Sequence, residues 1–139
     1  MSTSGDSRAL LTLVETFEIT GSFADYTEKV TAFCRKVEQD GLADVLTMQF
    51  YASEHAGEAY LILTVTDGDA FDQHGAFIRS IDEVRPYMKT ARLKQMRVFG
   101  TLNADRAKEL QELGAKHDVD FEWVSEHVSG FIRSGKRRS

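Results

Sequence analysis

The chain lacks the features that define several classes of protein. It has one cysteine, Cys34, among 139 residues, so no disulfide can form within the chain. No apolar run reaches the roughly 18 residues that a membrane-spanning helix needs. The N-terminal segment MSTSGDSR has no basic stretch followed by an apolar core, so it does not read as a secretory signal. These absences predict a cytoplasmic protein, and a chain of this length can bury a sizeable core as one domain.

The charge is unevenly distributed along the chain. The formal net charge is −5, but residues 9–132 alone hold 12 basic and 21 acidic residues. A body this acidic repels a phosphate backbone, so we expect no nucleic-acid partner and no membrane partner. Four basic residues follow the body in a short tail that we interpret as a solvated end: Arg133, Lys136, Arg137 and Arg138.

Composition therefore predicts three segments. Residues 1–8 are small and polar and are predicted to be a disordered N-terminal tail. Residues 9–132 form the single domain, and residues 133–139 form the basic C-terminal tail. The tail retains one alternative, a contact with nucleic acid or anionic lipid.

Periodicity predicts alternating strands and helices. Period-two alternation predicts strands at residues 10–19, 44–52, 58–66, 92–100 and 119–128. The first helix is expected to begin at a Ser22 cap and end at Gly41 in a left-handed conformation. Asp69 caps the second helix, which stops near Arg85 because the residue before a proline disfavours helix. The third helix runs from Thr101 or Asn103 to Gly114.

The resulting order is β-α-β-β-α-β, followed by a further helix and strand. The first six elements predict an α+β, ferredoxin-like antiparallel sheet with both helices on one face. The opposite face is rich in threonine and aromatic residues rather than Lys and Glu, which favours a homodimer through this face over a monomer with a solvated face. The last strand either extends the sheet or reaches the partner subunit.

Few side chains form a recognisable catalytic pattern. The four histidines have no metal-site spacing, and the chain has no nucleophile elbow and no phosphate loop. Within the stretch AFDQHGAF, the spacing of Phe71, His74 and Ile78 directs His74 inward between helix and sheet. A neutral imidazole beside apolar walls is suited to accept a proton. His74 is therefore either a general base in a pocket or a core histidine with one polar partner. The adjacent Gly75 indicates close packing, a kink or room for a ligand.

The same stretch resembles a motif of the antibiotic biosynthesis monooxygenase superfamily. In that family an Ala-Phe-x-x-His or Ala-Leu-x-x-His segment begins the second helix, and here it reads Ala70, Phe71 and His74. The Asp40–Gly41 turn also resembles the family's turn. The segment RVFGTLNADRAKELQELGA, with the strand and SGFIR after it, resembles an extended C-terminal version of the group. The likeness covers roughly residues 10–133.

The resemblance implies a dimeric α+β barrel with a pocket in each subunit between sheet and helices. Members oxygenate quinol or polyketide-like aromatics without metal or flavin, so no cofactor is expected, and His74 would accept a proton from a phenolic substrate. Many active members carry an acid and a tryptophan where this chain has Leu63 and Val65. The haem-degrading subtype is rejected because the only asparagine is Asn103, at a helix start.

The sequence thus supports three hypotheses. The first is a monooxygenase acting on a small aromatic molecule, and the second is a non-catalytic dimeric protein that binds a small apolar molecule. The third is an interaction module whose sheet face serves assembly only. For the first, His74 is the catalytic candidate, and the substrate-binding candidates are Phe71, Tyr51, Tyr60, Arg97 and Trp123.

Overall fold

The computed structural model describes residues 9–133. The predicted N-terminal tail and all but Arg133 of the C-terminal tail lie outside these residues. The described part contains five strands and four helices. In chain order they are β1 (Leu11–Ile19), α1 (Phe23–Asp40), β2 (Val45–Ser53), β3 (Glu58–Val65), α2 (Gly68–Ser80), α3 (Val84–Met88), β4 (Ala91–Phe99), α4 (Ala104–Lys116) and β5 (Asp120–Val124).

The five strands form one mixed sheet in the order β2-β3-β1-β4-β5. The first four pair antiparallel, whereas β5 lies parallel to β4 after the crossover through α4. The order of the first six main elements and of the four antiparallel strands is ferredoxin-like, so the predicted fold class is confirmed. The last strand extends the sheet of its own chain. In the described residues, no helix has the length and apolarity required to cross a membrane.

The core lies between one sheet face and the helices. On β1 the alternation places Leu11, Leu13 and Phe17 inward, and each is at most 8% exposed. Helix α1 covers this face with a stripe at helical spacing, formed by Tyr26, Val30, Phe33 and Val37. Burial of this shared apolar surface holds the two layers together.

The helix ends differ in part from the expected ones. Ser22 caps α1 as predicted, since its side chain accepts a hydrogen bond from the Asp25 N–H at 3.0 Å. Asp67, not Asp69, caps α2, because its carboxylate accepts the Ala70 N–H at 2.8 Å. Gly41 is extended rather than left-handed, and glycine is needed there because a Cβ would collide with the Val37 carbonyl oxygen.

The region around Pro86 also corrects the prediction of one long helix ending near Arg85. α2 ends at Ser80, and the separate short helix α3 then begins at Val84. Pro86 sits in the first turn of α3, where the backbone N–H groups have no partner within the helix, so the missing donor costs little. The turn brings Tyr87 into the core at 6% exposure.

Register irregularities change which side chains face the core. The β2–β3 register shifts between Val45 and Thr47, so Val45 packs against the core and Leu46 is 50% exposed. Strict alternation along this strand would instead place Leu46 on the same face as the inward Met48 and Phe50. A second shift, on β1 opposite β4, leaves both Leu93 and Met96 facing inward.

The C-terminal extension is fastened to the end of β4. Gly100 donates its N–H to the Val124 carbonyl at 3.0 Å, and its own carbonyl accepts the Trp123 indole N–H at 2.8 Å. β5 is shorter than predicted, at five residues. α4 continues past Gly114 to Lys116, because the turn to β5 is made by Asp118 at φ 59°.

Replacement of Gly100 is expected to destabilise the attachment of the C-terminal extension to the end of β4. Its φ is +126°, and a Cβ would lie 2.6 Å from the Leu10 carbonyl oxygen. We therefore expect Gly100→Ala to lower the free energy of unfolding by about 2–4 kcal/mol in urea titrations. Gly21→Ala is the matched control, because no atom lies within 4 Å of its added Cβ. Equal midpoints for the two variants would contradict this account of the junction.

Candidate functional site

A cavity of about 290 Å³ lies between the inner sheet face and the helices. Its size is at the lower end of the range for small-molecule sites, which are roughly 300–1,000 Å³. All four helices and strands β1 to β4 contribute to its lining. The apolar wall consists of Leu13, Phe17, Phe33, Met48, Leu61, Leu63, Phe71, Ile78, Val84, Met88, Ala91, Leu93, Met96 and Leu110.

Glu15 is the ionisable group on the sheet side of this cavity. It follows Leu13 on the inward face of β1, and its partners across the two ladders are the apolar Leu61 and Met96. Burial among such side chains raises the pKa of the Glu15 carboxyl to about 7, because the charged form loses its hydration. A substantial fraction of the protein therefore carries a neutral carboxylic acid here at neutral pH.

His74 lies on the helix side, in the middle of α2, and is 3% exposed. Burial lowers the pKa of the imidazole, so the neutral ring dominates at neutral pH. The Nδ1 atom has no hydrogen-bond partner among the described residues. A histidine kept only for packing would be expected to have a backbone or hydroxyl partner for its ring. The core alternative, a histidine with one polar partner, therefore lacks that partner at Nδ1 among the described residues.

Tyr87 adds a hydroxyl close to Glu15. Burial raises the pKa of Tyr87, and the charge of Glu15 raises it further. Its ring is held by stacking on Phe33 at 4.7 Å between centroids and by an edge contact with Phe17 at 6.2 Å. The Tyr87 hydroxyl is buried and has no partner in the described part of the chain. The rings fix its position, and the hydroxyl retains its hydrogen-bonding capacity for another group.

Helices α2 and α4 are joined by an ion pair between two residues of the cavity lining. Arg106 of α4 donates to Asp72 of α2 at 2.8 Å, which joins the two helices across the lining. Gly75 allows the Arg79 side chain to approach, since an added Cβ would stand 3.3 Å from its guanidinium. Gly75 also lines the cavity, so two of the three sequence explanations, close packing and room for a ligand, agree with the structure.

The structure places the sequence candidates in two groups. His74 and Phe71 line the cavity. The side chains of Tyr51 and Tyr60 belong to the opposite sheet face, because they are adjacent cross-strand partners one position out of phase with the inward Phe50 and Leu61. Tyr51 is 57% exposed, and Tyr60 donates to Glu58.

Arg97 and Trp123 also lie outside the cavity lining. Arg97 alternates with the inward Met96 and Val98 and forms an ion pair with Glu122 at 3.1 Å. Trp123 is on β5, the edge strand, where its indole is engaged by the Gly100 carbonyl. Strand parity thus separates these residues from the cavity that His74 lines, contrary to their expected grouping in one pocket.

The polar lining residues that the sequence interpretation missed include Glu15, Tyr87 and Arg106. Only Glu15 had a usable signal. It stands in phase with Leu11, Leu13 and Phe17 on a strand face that is otherwise apolar, and an acidic residue on a buried face is informative. Tyr87 and Arg106 had none, because their positions depend on the turn after Ser80 and on the docking of α4.

The arrangement can bind a small apolar molecule and exchange protons with it. The walls are apolar, and one acid and one base have pKa values displaced towards each other by burial. Such pairs are typical of proton-transfer sites. Among the described residues, no group of three or more His, Cys, Asp or Glu side chains is placed to hold a metal ion.

Comparisons with solved structures identify the fold. MupZ from Pseudomonas fluorescens superposes with a TM-score of 0.65 and 14% identity, over 94% of this chain and 96% of that one. SnoaB, a cofactor-independent oxygenase from Streptomyces nogalater, gives a TM-score of 0.53 and 12% identity over 69% and 96%. A candidate antibiotic biosynthesis monooxygenase from Caulobacter crescentus gives 0.51 and 15% over 66% and 86%. No family model and no curated protein sequence matches the chain.

These neighbours share the ferredoxin-like α+β fold of the chain, which is the fold that the resemblance of the Ala70–His74 motif implied. At 12–15% identity the neighbours establish the shared fold, and the activity has to be argued from the cavity itself.

The buried acid makes a prediction about stability. The folded-state pKa of Glu15 is about 7 against 4.5 for the free side chain, so the folded protein binds more protons than the unfolded chain between these pH values. The contribution of Glu15 to folding stability therefore falls as pH rises from 4.5 to 7, by up to about 3 kcal/mol, and stays low above pH 7. The lowered pKa of His74 contributes in the opposite direction below pH 6.5. We expect Glu15→Gln to remove this fall, as measured by urea unfolding at pH 4.5, 6 and 8.

Glu38→Gln is the matched control, because Glu38 is exposed on α1. It should retain the pH dependence of the wild type. A Glu15→Gln protein whose stability falls with pH as steeply as the wild type would show that Glu15 is not the buried titrating group.

Proposed function

We propose that the protein is a cofactor-independent monooxygenase that acts on a small aromatic substrate of the quinol or polyketide type. The observation that carries the proposal is a mostly apolar cavity with a neutral, incompletely hydrogen-bonded histidine in its wall. A flat aromatic molecule of two rings is compatible with a cavity of about 290 Å³. The structural likeness to SnoaB, described as a cofactor-independent oxygenase, supports the same reaction class.

His74 starts the reaction by accepting a proton from the substrate. Its lowered pKa keeps the imidazole neutral and able to accept at neutral pH. The resulting delocalised anion is electron-rich, and its carbon adds O2 to form a C–O bond and a peroxide. When the reacting carbon carries two hydrogens, the O–O bond then breaks with loss of the second hydrogen as a proton. One O2 is consumed, one carbonyl and one water are formed, and the substrate supplies all four electrons.

The apolar wall contributes by excluding water and by holding the ring plane. Phe71, one helical turn before His74, lines the cavity beside it. An anion generated in such a site is poorly hydrated and therefore reacts readily with a neutral, apolar oxidant. The alternative function, non-catalytic binding of the same class of molecule, uses the cavity but not the proton acceptor.

Turnover of 1,4-dihydroxynaphthalene tests the base. Its keto tautomer has a carbon with two hydrogens, so oxygenation gives 2-hydroxy-1,4-naphthoquinone, whereas simple oxidation gives 1,4-naphthoquinone. We expect His74→Ala to lower the rate of the hydroxylated product by about 10²–10⁴-fold, the usual contribution of a positioned base. Product chromatography after correction for spontaneous oxidation provides the measurement.

His55→Ala is the matched control, because His55 is exposed in the β2–β3 hairpin. It should leave the rate unchanged. If His74→Ala and His55→Ala give equal rates, His74 is not the base. If the wild type binds the quinol, as followed by fluorescence, without forming the hydroxylated product, the non-catalytic binding function replaces the oxygenase.

The outer sheet face supports a second part of the proposal, a homodimer formed through this face. Four cross-strand partners form one row across this face: Gln49, Ile62, Val14 and Arg97. Ile62 and Val14 are the apolar centre of the row, and Ile62 is 38% exposed. Phe99, two residues from Arg97, is also 38% exposed. Small hydroxyl side chains flank the row, including Thr12 and Thr64, which contact each other at 3.2 Å. In a dimer with a two-fold axis, the same face of the second copy would cover this face.

Sedimentation equilibrium tests the dimer. The wild type is expected to be a dimer at tens of micromolar, and Ile62→Asp is expected to be a monomer, because the buried carboxylate would lose its hydration at the centre of the interface. Thr31→Asp, on the exposed surface of α1, is the control and should remain dimeric. A monomeric wild type would contradict the proposed use of this face.

A further inference from the structure

The proposed reaction uses one proton acceptor, yet the cavity contains a second ionisable group without an assigned task. Glu15 projects from the central strand into the same cavity that His74 lines from α2. No ion pair or hydrogen bond of the Glu15 carboxyl is found in the described part of the chain. A carboxyl group buried without a polar partner lowers the stability of the fold, which makes it a candidate for a functional role.

The surroundings of Glu15 are mostly apolar and fixed. Across the ladders it faces Leu61 and Met96, and along its own strand face it lies between Leu13 and Phe17. The polar group beside it is Tyr87, on whose ionisation it acts electrostatically. The hydroxyl of Tyr87 is buried and unpartnered within the described residues. Both residues line the same cavity, and the charge of Glu15 acts on the Tyr87 hydroxyl.

We propose that Glu15, in its neutral form and assisted by the Tyr87 hydroxyl, is a second catalytic residue that transfers protons to and from the oxygen side of the reaction. The inference rests on the proposed oxygenase function. In this scheme His74 accepts the proton of the substrate, and Glu15 donates a proton to the peroxide. No residue other than His74 was assigned a proton-transfer role by the motif.

The protons balance with these two groups. His74 takes the first substrate proton, and the anion adds O2 to give a peroxide anion. Glu15 protonates the peroxide and becomes a carboxylate, which then removes the second hydrogen of the reacting carbon as a proton. The electron pair of that C–H bond forms the carbonyl, the O–O bond breaks, and the departing hydroxide takes the proton held by His74. Both residues return to their starting forms.

The starting forms match the ionisation of the site. Burial raises the pKa of Glu15 to about 7 and lowers that of His74. An acid and a neutral base therefore coexist near pH 6–7, where the unperturbed pair would be a carboxylate and a partly charged imidazole. The other titratable or charged groups facing the cavity are Asp72 and Arg79 of α2, Tyr87 of α3 and Arg106 of α4. Tyr26 of α1, which raises the pKa of Tyr87, lies behind it.

The same geometry narrows the substrate class. A molecule served by both groups has a hydroxyl whose proton goes to His74 and a carbonyl or second hydroxyl that accepts a hydrogen bond from the Glu15 and Tyr87 side. Ring systems with two oxygen functions on opposite edges, such as hydroquinones and hydroxyquinones, satisfy this requirement. A monophenol satisfies only the His74 part and should turn over more slowly.

The experiment combines a pH profile with a direct observation of the carboxyl group. The kcat of the wild type for 1,4-dihydroxynaphthalene should fall above about pH 7, when Glu15 has lost its proton. In Glu15→Gln, which keeps the shape but cannot transfer a proton, this alkaline fall should disappear and kcat should drop about 100-fold. Glu38→Gln is the control and should keep both the rate and the alkaline fall.

In parallel, the side-chain carboxyl carbons of the wild type are followed by 13C NMR. One glutamate signal should titrate near pH 7 and should shift when 1,4-naphthoquinone, the unreactive oxidised probe, is added. This measurement is made on the unaltered protein, so it tests the role of Glu15 even if Glu15→Gln does not fold.

The outcomes separate the two proposals. If His74→Ala abolishes turnover while Glu15→Gln keeps the wild-type rate and alkaline fall, the role of Glu15 is overturned and the oxygenase stands. If the quinone binds without moving the signal that titrates near pH 7, the role of Glu15 is likewise overturned. If the wild type neither turns over the quinol nor binds the quinone, the oxygenase proposal fails and this inference fails with it.

Discussion

The site depends on one constraint, the enforced burial of Glu15 on the central strand. β1 is paired on both edges, with β3 on one side and β4 on the other. Turning Glu15 outward would require a one-residue slip that also exposes Leu11, Leu13 and Phe17, because side chains alternate strictly along a strand. The apolar burial of those three residues outweighs the cost of one desolvated carboxyl. The carboxyl therefore stays inside, and the cavity is the space into which it projects.

A single physical cause then prepares both ends of the cavity for proton transfer. Loss of hydration disfavours the charged form of any group, so it raises the pKa of Glu15 and lowers that of His74. Neither pKa shift requires a charged partner, since burial causes both. In other sites an ion pair shifts the pKa of one residue. Here both pKa shifts depend on the exclusion of water, so opening the cavity to water would return the pKa values of both groups towards their ordinary values.

The sequence predicted the architecture more completely than the site. Alternation and helical spacing are local properties, so the strand order, the Ser22 cap and the inward position of His74 could be derived from them. The bulge at Val45–Thr47 could not, because a register shift arises from pairing between strands. The same limit explains why Tyr51, Tyr60, Arg97 and Trp123 were grouped with His74: residue type indicated a binding role, while strand parity placed them elsewhere. Glu15 was recognisable in principle as the acidic member of an apolar face, and Tyr87 was not, since its burial follows from a turn after Ser80.

The C-terminal extension closes the cavity that the ferredoxin-like elements begin. Without α4, the space between the sheet and α2 would lose Leu110 and Arg106 from its lining. The strand that follows α4, β5, is held by Phe121 packing against the core and by the Trp123 indole on the Gly100 carbonyl. The Arg106–Asp72 ion pair is partly exposed and contributes little to stability by itself. Because it joins two helices of the cavity lining, it is better suited to fix the spacing of α2 and α4 than to hold the fold together.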